Sequence, residues 1–201
     1  MHEKVSLTFY ERDDVVLIAQ ELLGKVLCTS INGILTKGII VETEAYNGRH
    51  DKACHAYFAG KTTRTNIMYE RGGHAYVYLC YGIHHLFNIV TNKKGFADAV
   101  LIRGIEPIHG IEHILHRRNK KKLERSVGGG PGIVSQALGI TTHHYGTDLL
   151  GNVIWIEDQK RNVPKEHILA SPRVGIDYAG EDAQLPWRFR IKNNPFTSLA
   201  K

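Results

Sequence analysis

The sequence predicts a single mixed α/β domain with at least two β-hairpins, and three observations carry that prediction. The chain has 201 residues, the size of one domain with a real core. Its composition is globular, with 42% hydrophobic and 23% charged residues. Short β-branched runs bounded by glycine turns alternate with segments of helical periodicity.

Residues 13–24 read as a helix. Asp13 or Asp14 can accept from the free amides of a first turn. Val15, Ile18, Ala19, Leu22 and Leu23 keep the spacing of a core-facing stripe. Gly24 suits the left-handed residue that ends a helix. Residues 25–30 and 34–44 read as strands around the Asn32-Gly33 turn, a strong hairpin signal. The stretch Ile39-Ile-Val-Glu-Thr-Glu-Ala-Tyr46 starts apolar and ends in two carboxylates and a tyrosine. Strand alternation places Ile40, Glu42, Glu44 and Tyr46 on one face, and Ile39, Val41 and Thr43 on the other. Such a strand delivers Glu44 to a rim, where an ionised carboxylate can hold a water. The alternative is a strand that simply runs out into solvent.

Residues 47–60 are polar and read as a loop or short helix. Lys61-Thr-Thr-Arg-Thr-Asn66 offers basic and hydroxyl groups suited to phosphates, or to a solvated loop. Residues 74–81 and 84–91 are two more strands. Gly82-Ile83 between them fits a two-residue type II′ turn and leaves Tyr81 and Ile83 at an exposed tip. Insertion between bases is one use for large apolar groups there. Folding back on a neighbouring loop is the other.

Residues 97–105 form a buried strand that carries Arg103. A helix is expected from Pro107 to about His116. The basic run Arg117-Arg-Asn-Lys-Lys-Lys122 follows, either a phosphate patch or solvated surface. Gly128-Gly-Gly-Pro-Gly132 breaks the chain and starts a helix to Leu138, with Pro131 in its first turn. Residues 153–157 and 187–191 are strands, and 164–183 is mostly loop.

Several function classes drop out. The apolar runs are too short for a transmembrane helix. Residues 1–6 lack the basic-then-apolar pattern of a secretory signal. Cys28, Cys54 and Cys80 are odd in number and match no zinc spacing, which fits a reduced, cytosolic protein. The glycine run lacks the lysine and hydroxyl of a phosphate-binding loop. His84-His85 and His143-His144 are adjacent pairs, which on a strand point to opposite faces. No metal site is expected, and no nucleophile-base signature occurs.

A net charge of +6 and a pI near 9.2 favour a polyanionic partner. Tyr46, His55, Tyr76 and Tyr78 can form an aromatic slot beside Glu44 or pack as ordinary core; a slot there suits an extruded base, and the basic flanks suit its backbone. A non-enzymatic nucleic-acid-binding domain uses the same aromatics and charges but has no need of Glu44 beside Arg103. A metal-dependent nuclease needs clustered ligands that the sequence does not assemble.

The motifs Glu42-Thr-Glu-Ala-Tyr46, Tyr76-Val-Tyr-Leu-Cys-Tyr-Gly82, Asn88-Ile89, Leu101-Ile-Arg-Gly-Ile-Glu-Pro107, Gly130-Pro-Gly132 with Gln136-Ala-Leu138, and Arg173-Val-Gly175 occur in order over nearly the whole chain, after Leu22-Leu-Gly-Lys25. Together they resemble the alkyladenine (3-methyladenine) DNA glycosylase family in its compact bacterial form. The resemblance implies an α/β domain on a largely antiparallel, barrel-like sheet flanked by helices, with a protruding β-hairpin and neither cofactor nor metal. It implies a monomeric, cytoplasmic, nucleoid-associated enzyme of base excision repair. Such an enzyme flips alkylated purines out of double-stranded DNA and cleaves the N-glycosidic bond without strand scission.

By motif position, Glu44 resembles the residue that activates the attacking water. Arg103 resembles the arginine that helps hold that water and a DNA phosphate. Tyr46, His55 and Tyr78 fall where the family sandwiches the flipped base, and Asn88 where it excludes guanine. Tyr81 matches the residue that replaces the extruded nucleotide in the stack, and Ile83 sits at a neighbouring wedge position. Lys61 and Arg64 fall near the family's basic, backbone-contacting segment. Ile133 stands where many relatives carry lysine.

Overall fold

In the computed structural model, which describes residues 3–199, nine strands pair antiparallel in one curled, half-barrel sheet. They are β1 (Glu3–Lys4), β2 (Val26–Ile31), β3 (Ile34–Tyr46), β4 (Ala75–Cys80), β5 (His84–Thr91), β6 (Asp98–His109), β7 (Ile154–Asp158), β8 (Ile168–Ser171) and β9 (Arg188–Ile191). Their order is β1-β7-β2-β3-β6-β5-β4, with β9 pairing both β3 and β8. The helices among the described residues are α1 (Leu7–Tyr10), α2 (Val15–Glu21), α3 (His55–Ala59), α4 (Ile111–Arg117), α5 (Arg125–Gly128) and α6 (Pro131–Leu138). The first two residues of the opening stretch read for a signal lie outside the described residues.

Helix α2 forms as its caps and stripe predict. The Asp14 carboxylate accepts from the Leu17 N–H at 2.9 Å, and Gly24 takes φ +83° just beyond. Its buried stripe packs with Ile114 of α4 and Val134, Ala137 and Leu138 of α6 over one face of the sheet. Val77, Phe87, Ile89, Val100 and Ile102 meet them there. The alternate residues Tyr76, Tyr78, Asn88, Leu101 and Arg103 border a cavity on the other face. Period-2 alternation thus separates core from site within the same strands.

Two β-bulges reset that alternation. Ile40 pairs with Ile105 and Glu42 with Gly104, so Val41 is the extra residue on β3. Thr43 then pairs with Ile102, which leaves Arg103 as the extra residue on β6. The sequence reading put Ile40 on the face of Glu42 and Glu44. The structure instead buries Ile40 with Ala45 in the helix-facing core, while Glu42 and Glu44 turn to the other side. One extra residue flips every side chain after it. The bulge region is also where β3 changes neighbours, from β2 before it to β9 at Glu42–Glu44.

Other expectations are corrected. The turn between β4 and β5 is not a two-residue Gly82-Ile83 type II′ turn. Cys80 pairs with His84, the Ile83 N–H donates to the Cys80 carbonyl at 3.1 Å, and both Tyr81 and Gly82 have positive φ. That is the pattern of a type I′ turn, whose twist matches the flanking strands. No helix starts at Pro107. Strand β6 runs through it to His109, and α4 begins after Gly110 at φ +67°. Pro107 pairs opposite Gly38 beside a register shift, where a missing N–H is tolerated. The expected loop at 164–183 contains β8 and a 3₁₀ segment over Asp177–Gln184. The glycine run packs tightly: a Cβ on Gly128 would collide with the Ile105 carbonyl of β6.

Candidate active site

Sheet register lays out the site. Glu44 on β3 lies opposite Leu101 on β6, Leu101 opposite Asn88 on β5, and Asn88 opposite Tyr76 on β4. Directly paired residues share a face, so these four form one row across the sheet, roughly 14 Å long at 4.7–4.9 Å per strand. Tyr46, Tyr78 and Arg103 follow two residues along their strands. All of them border a cavity of about 650 Å³, which His55, Arg64 and Tyr81 also line.

Glu44 is not at a rim. It is fully buried, although it borders the cavity. Strand β9 covers its edge, with Arg188 paired opposite, and the Val174 segment closes over it. The Tyr46 hydroxyl donates to Glu44 Oε2 at 2.8 Å, and Arg103 Nη1 reaches the same oxygen at 3.4 Å. The Val174 N–H donates to Oε1 at 2.9 Å. Burial first, and the Glu44 charge second, push the Tyr46 phenol well above its usual range, so it stays a donor. Burial opposes the charge on Arg103, but Glu44 and Glu42 outweigh it and raise the arginine's pKa. Burial likewise favours a neutral Glu42. The Arg103 charge, the Ser198 N–H and the Arg188 charge overcome it and hold Glu42 below the ordinary carboxylate range.

The aromatic wall is interlocked. His55 Nδ1 and the Tyr76 hydroxyl are 2.8 Å apart. The His55 ring meets Tyr78 nearly edge-on, with centroids 4.7 Å apart. Burial first, and the Arg64 charge second, lower the His55 pKa to about 4, so the imidazole is neutral at physiological pH. The Arg64 guanidinium lies 4.7 Å from the Tyr78 ring centre, on the lip of this slot. Asn88 donates from Nδ2 to the Tyr76 and Leu86 carbonyls at 3.1 and 3.4 Å, which fixes its amide.

Other residues singled out in the sequence lie elsewhere. Lys61 is exposed and does not line the cavity. Tyr81 and Ile83 stand at the hairpin tip, 88% and 71% exposed, so the tip does not fold back. Tyr81 borders the cavity and Ile83 does not. Ile133 lines it from the first turn of α6. In the basic run, Arg117 donates to the Ala137 carbonyl at 3.1 Å and Arg118 to the Ser126 carbonyl at 2.9 Å. These two arginines tie helices together, and Lys121 and Lys122 remain exposed. Among the described residues, no group of three His, Cys, Asp or Glu side chains is gathered to hold a metal ion.

Sequence reasoning passed over an ion pair that shapes the site. Arg173 is buried, bonds the Asp51 carboxylate through two nitrogens, and lies 4.7 Å from the Tyr46 ring centre. It anchors the segment that brings the Val174 N–H to Glu44. The motif Arg173-Val-Gly175 was visible, but the partners Arg173 and Asp51 are 122 residues apart. No local spacing pairs them.

A buried carboxylate beside an arginine, next to an aromatic slot and an exposed aromatic tip, is an arrangement that suits one class, the DNA glycosylases, hydrolases of N-glycosyl bonds that act on a base taken out of the stack. The profile of the family described as Methylpurine-DNA glycosylase (MPG) matches residues 8–195. A relative from Chlamydia felis (strain Fe/C-56) is 48% identical over 185 residues, covering 92% of this chain and 94% of its own. One from Bacillus cereus (strain AH820) is 44% identical over 199 residues, covering 95% and 97%. One from Chlamydia abortus (strain DSM 27085 / S26/3) is 48% identical over 189 residues, covering 92% and 98%. All three carry the provisional name 3-methyladenine DNA glycosylase. The chain belongs to the methylpurine-DNA glycosylase family. It is a DNA glycosylase of base excision repair, and DNA is its substrate.

Proposed function

We propose that the chain, as a monomer on double-stranded DNA of the cytoplasmic nucleoid, flips alkylated purines into the cavity and hydrolyses their N-glycosidic bond with a water activated by Glu44. The observation that carries this reading is the donor set on Glu44. A carboxylate has about four acceptor positions. Tyr46, Arg103 and Val174 fill three, which leaves one on Oε1 for a water. Alkylation at N3 or N7 makes a purine cationic and a better leaving group. Its departure leaves an oxocarbenium-like sugar, as in glycoside hydrolysis. Glu44 takes a proton from the water and offsets the positive charge growing on the sugar. Arg103 orients the carboxylate from one side and Val174 from the other.

The slot suits such a base. Tyr46, His55 and Tyr78 offer rings on which a cationic base stacks well. His55 is uncharged near neutral pH, so it does not repel a cation as an imidazolium would. Asn88, its amide fixed by two carbonyls, presents a rigid edge that screens out the exocyclic amine of guanine. Lys61 and Arg64 meet the DNA backbone, with Arg64 at the slot's lip.

The direct experiment uses methylated duplex DNA. The protein should release free 3-methyladenine and leave an abasic site, undiminished by EDTA. Loss of activity on chelation, or direct strand cleavage, defeats the mechanism. A second outcome concerns the hairpin tip, where Tyr81 fills the gap left by the flipped nucleotide and Ile83 wedges beside it. Tyr81→Ala should weaken binding to lesion-containing duplex by roughly 1–3 kcal/mol, the value of one base-aromatic stack. Thermal stability should hardly change, because the ring is exposed. A destabilised variant that binds normally would return Tyr81 to a structural role.

A further inference from the structure

Behind Glu44 lies a buried cluster that no step of the reaction touches: Glu42, Arg188 and Ser198. We propose that Ser198 is a positioning residue, which acts through Glu42 to set the Arg103 guanidinium against Glu44. This inference rests on the reading that Arg103 and Glu44 act together in base excision.

The guanidinium of Arg103 is gripped from the rear. Its Nε donates to Glu42 Oε1 at 2.9 Å and its Nη2 reaches Ser198 Oγ at 3.5 Å. The remaining Nη1 reaches Glu44 Oε2 at 3.4 Å. Because the group is a rigid planar fork, fixing Nε and Nη2 fixes where Nη1 points. Glu42 is in turn held by the C-terminal segment. The Ser198 N–H donates to Glu42 Oε2 at 2.5 Å, and Ser198 Oγ donates to Glu42 Oε1 at 2.8 Å. Arg188 completes the cluster, with Nε 2.9 Å from Glu42 Oε1 and Nη2 3.1 Å from Ser198 Oγ.

A hydroxyl has one donor and two acceptor positions. At Ser198 the proton goes to Glu42, and the two lone pairs face Arg103 and Arg188. An apolar side chain can fill none of these roles. The segment is seated rather than draped. Phe196 is buried with Val26, Cys28, Ile39 and Val41, and Asn194 donates to Glu106 at 2.8 Å. The Phe196 carbonyl approaches the bulge so closely that a Cβ on Gly104, next to Arg103, would lie 3.0 Å from it. The tail and the bulge that presents Arg103 therefore fit as one unit. Small displacements of a group that positions a reacting centre cost rate steeply.

The test compares S198A, S198C and S198T with wild type in single-turnover excision of 3-methyladenine, in lesion-duplex Kd and in Tm. S198C keeps the side-chain shape in a slightly larger form and replaces the hydroxyl with a weakly hydrogen-bonding thiol, so it reports if S198A fails to fold. Both should slow excision by about tenfold or more, which corresponds to 1.36 kcal/mol of barrier per factor of ten. Their Kd should stay within about twofold of wild type, since Ser198 lies outside the cavity lining. S198T, which restores the hydroxyl, should recover most of the rate. A lowered Tm with normal excision well below that temperature would make Ser198 merely structural and overturn the proposal. So would rates for S198T as low as for S198A. Glu44→Gln in the same assay separates the two levels: if it is inactive while S198A and S198C excise normally, only this inference fails. If Glu44→Gln excises normally, the underlying mechanism fails with it.

Discussion

Glu44→Gln should fold, bind lesion-containing duplex about as well as wild type, and excise almost nothing. General-base assistance is worth about 10²–10⁴-fold, and the lost stabilisation of the sugar cation adds to that. The fold survives because the amide keeps the shape and one oxygen. That oxygen best takes the place of Oε2, which meets two donors, Tyr46 and Arg103. The NH₂ then opposes the Val174 N–H, at a cost of about 1–3 kcal/mol for an unsatisfied buried donor. A domain with roughly 5–15 kcal/mol of stability tolerates that. Glu42→Gln is the control on the neighbouring carboxylate. Near-normal excision by Glu44→Gln, alongside a folded but inactive Glu42→Gln, would mean that the chemistry belongs to Glu42.

Glu42→Ala should be the most destabilising single change in the site. Glu42 is fully buried and is the shared counter-charge of Arg103 and Arg188. Its removal leaves two buried guanidinium groups that have lost a partner, which typically costs about 3–5 kcal/mol. For a domain of this size that lowers Tm by roughly 6–20 °C. The pH dependence has a definite sign. Folding depresses the Glu42 pKa below its ordinary value of 4.5. Its stabilisation is therefore present above about pH 4.5 and is lost as pH falls through the lower folded value. Denaturant titrations of wild type and variant should converge on acidification through that window. A variant with wild-type Tm would show that the pair of arginines does not depend on Glu42.

Much of the fold follows from local rules that act within a few residues. The Asp14 cap and the stripe from Val15 to Leu23 specify α2. Asn32-Gly33, both at positive φ, specify the hairpin between β2 and β3. Pro131 in the first turn specifies the start of α6. Errors arose where a local signal met a tertiary one. Pro107 resembles a helix start, yet β3 pairs with it and extends β6 to His109. Gly82 resembles the first residue of a type II′ turn, yet Tyr81 itself takes φ +51° so that the strand twist is matched.

The same division holds for the site. By itself, the sequence determined which residue types are available and which strands carry them: Glu44 and Tyr46 on one, Tyr76 and Tyr78 on another, Arg103 on a third. Alternation and motif spacing are short-range properties, so they can be read along the chain. The tertiary structure alone decided that Glu44 is buried, that bulges at Val41 and Arg103 turn both carboxylates toward the arginine, and that Arg173 with Asp51, and Ser198 with Glu42, brace the site from distant parts of the chain. Bulges and long-range ion pairs depend on which strand lies alongside, and burial of a charge depends on the sum of its partners. Those are properties of the assembled sheet, and no stretch of the chain carries them alone.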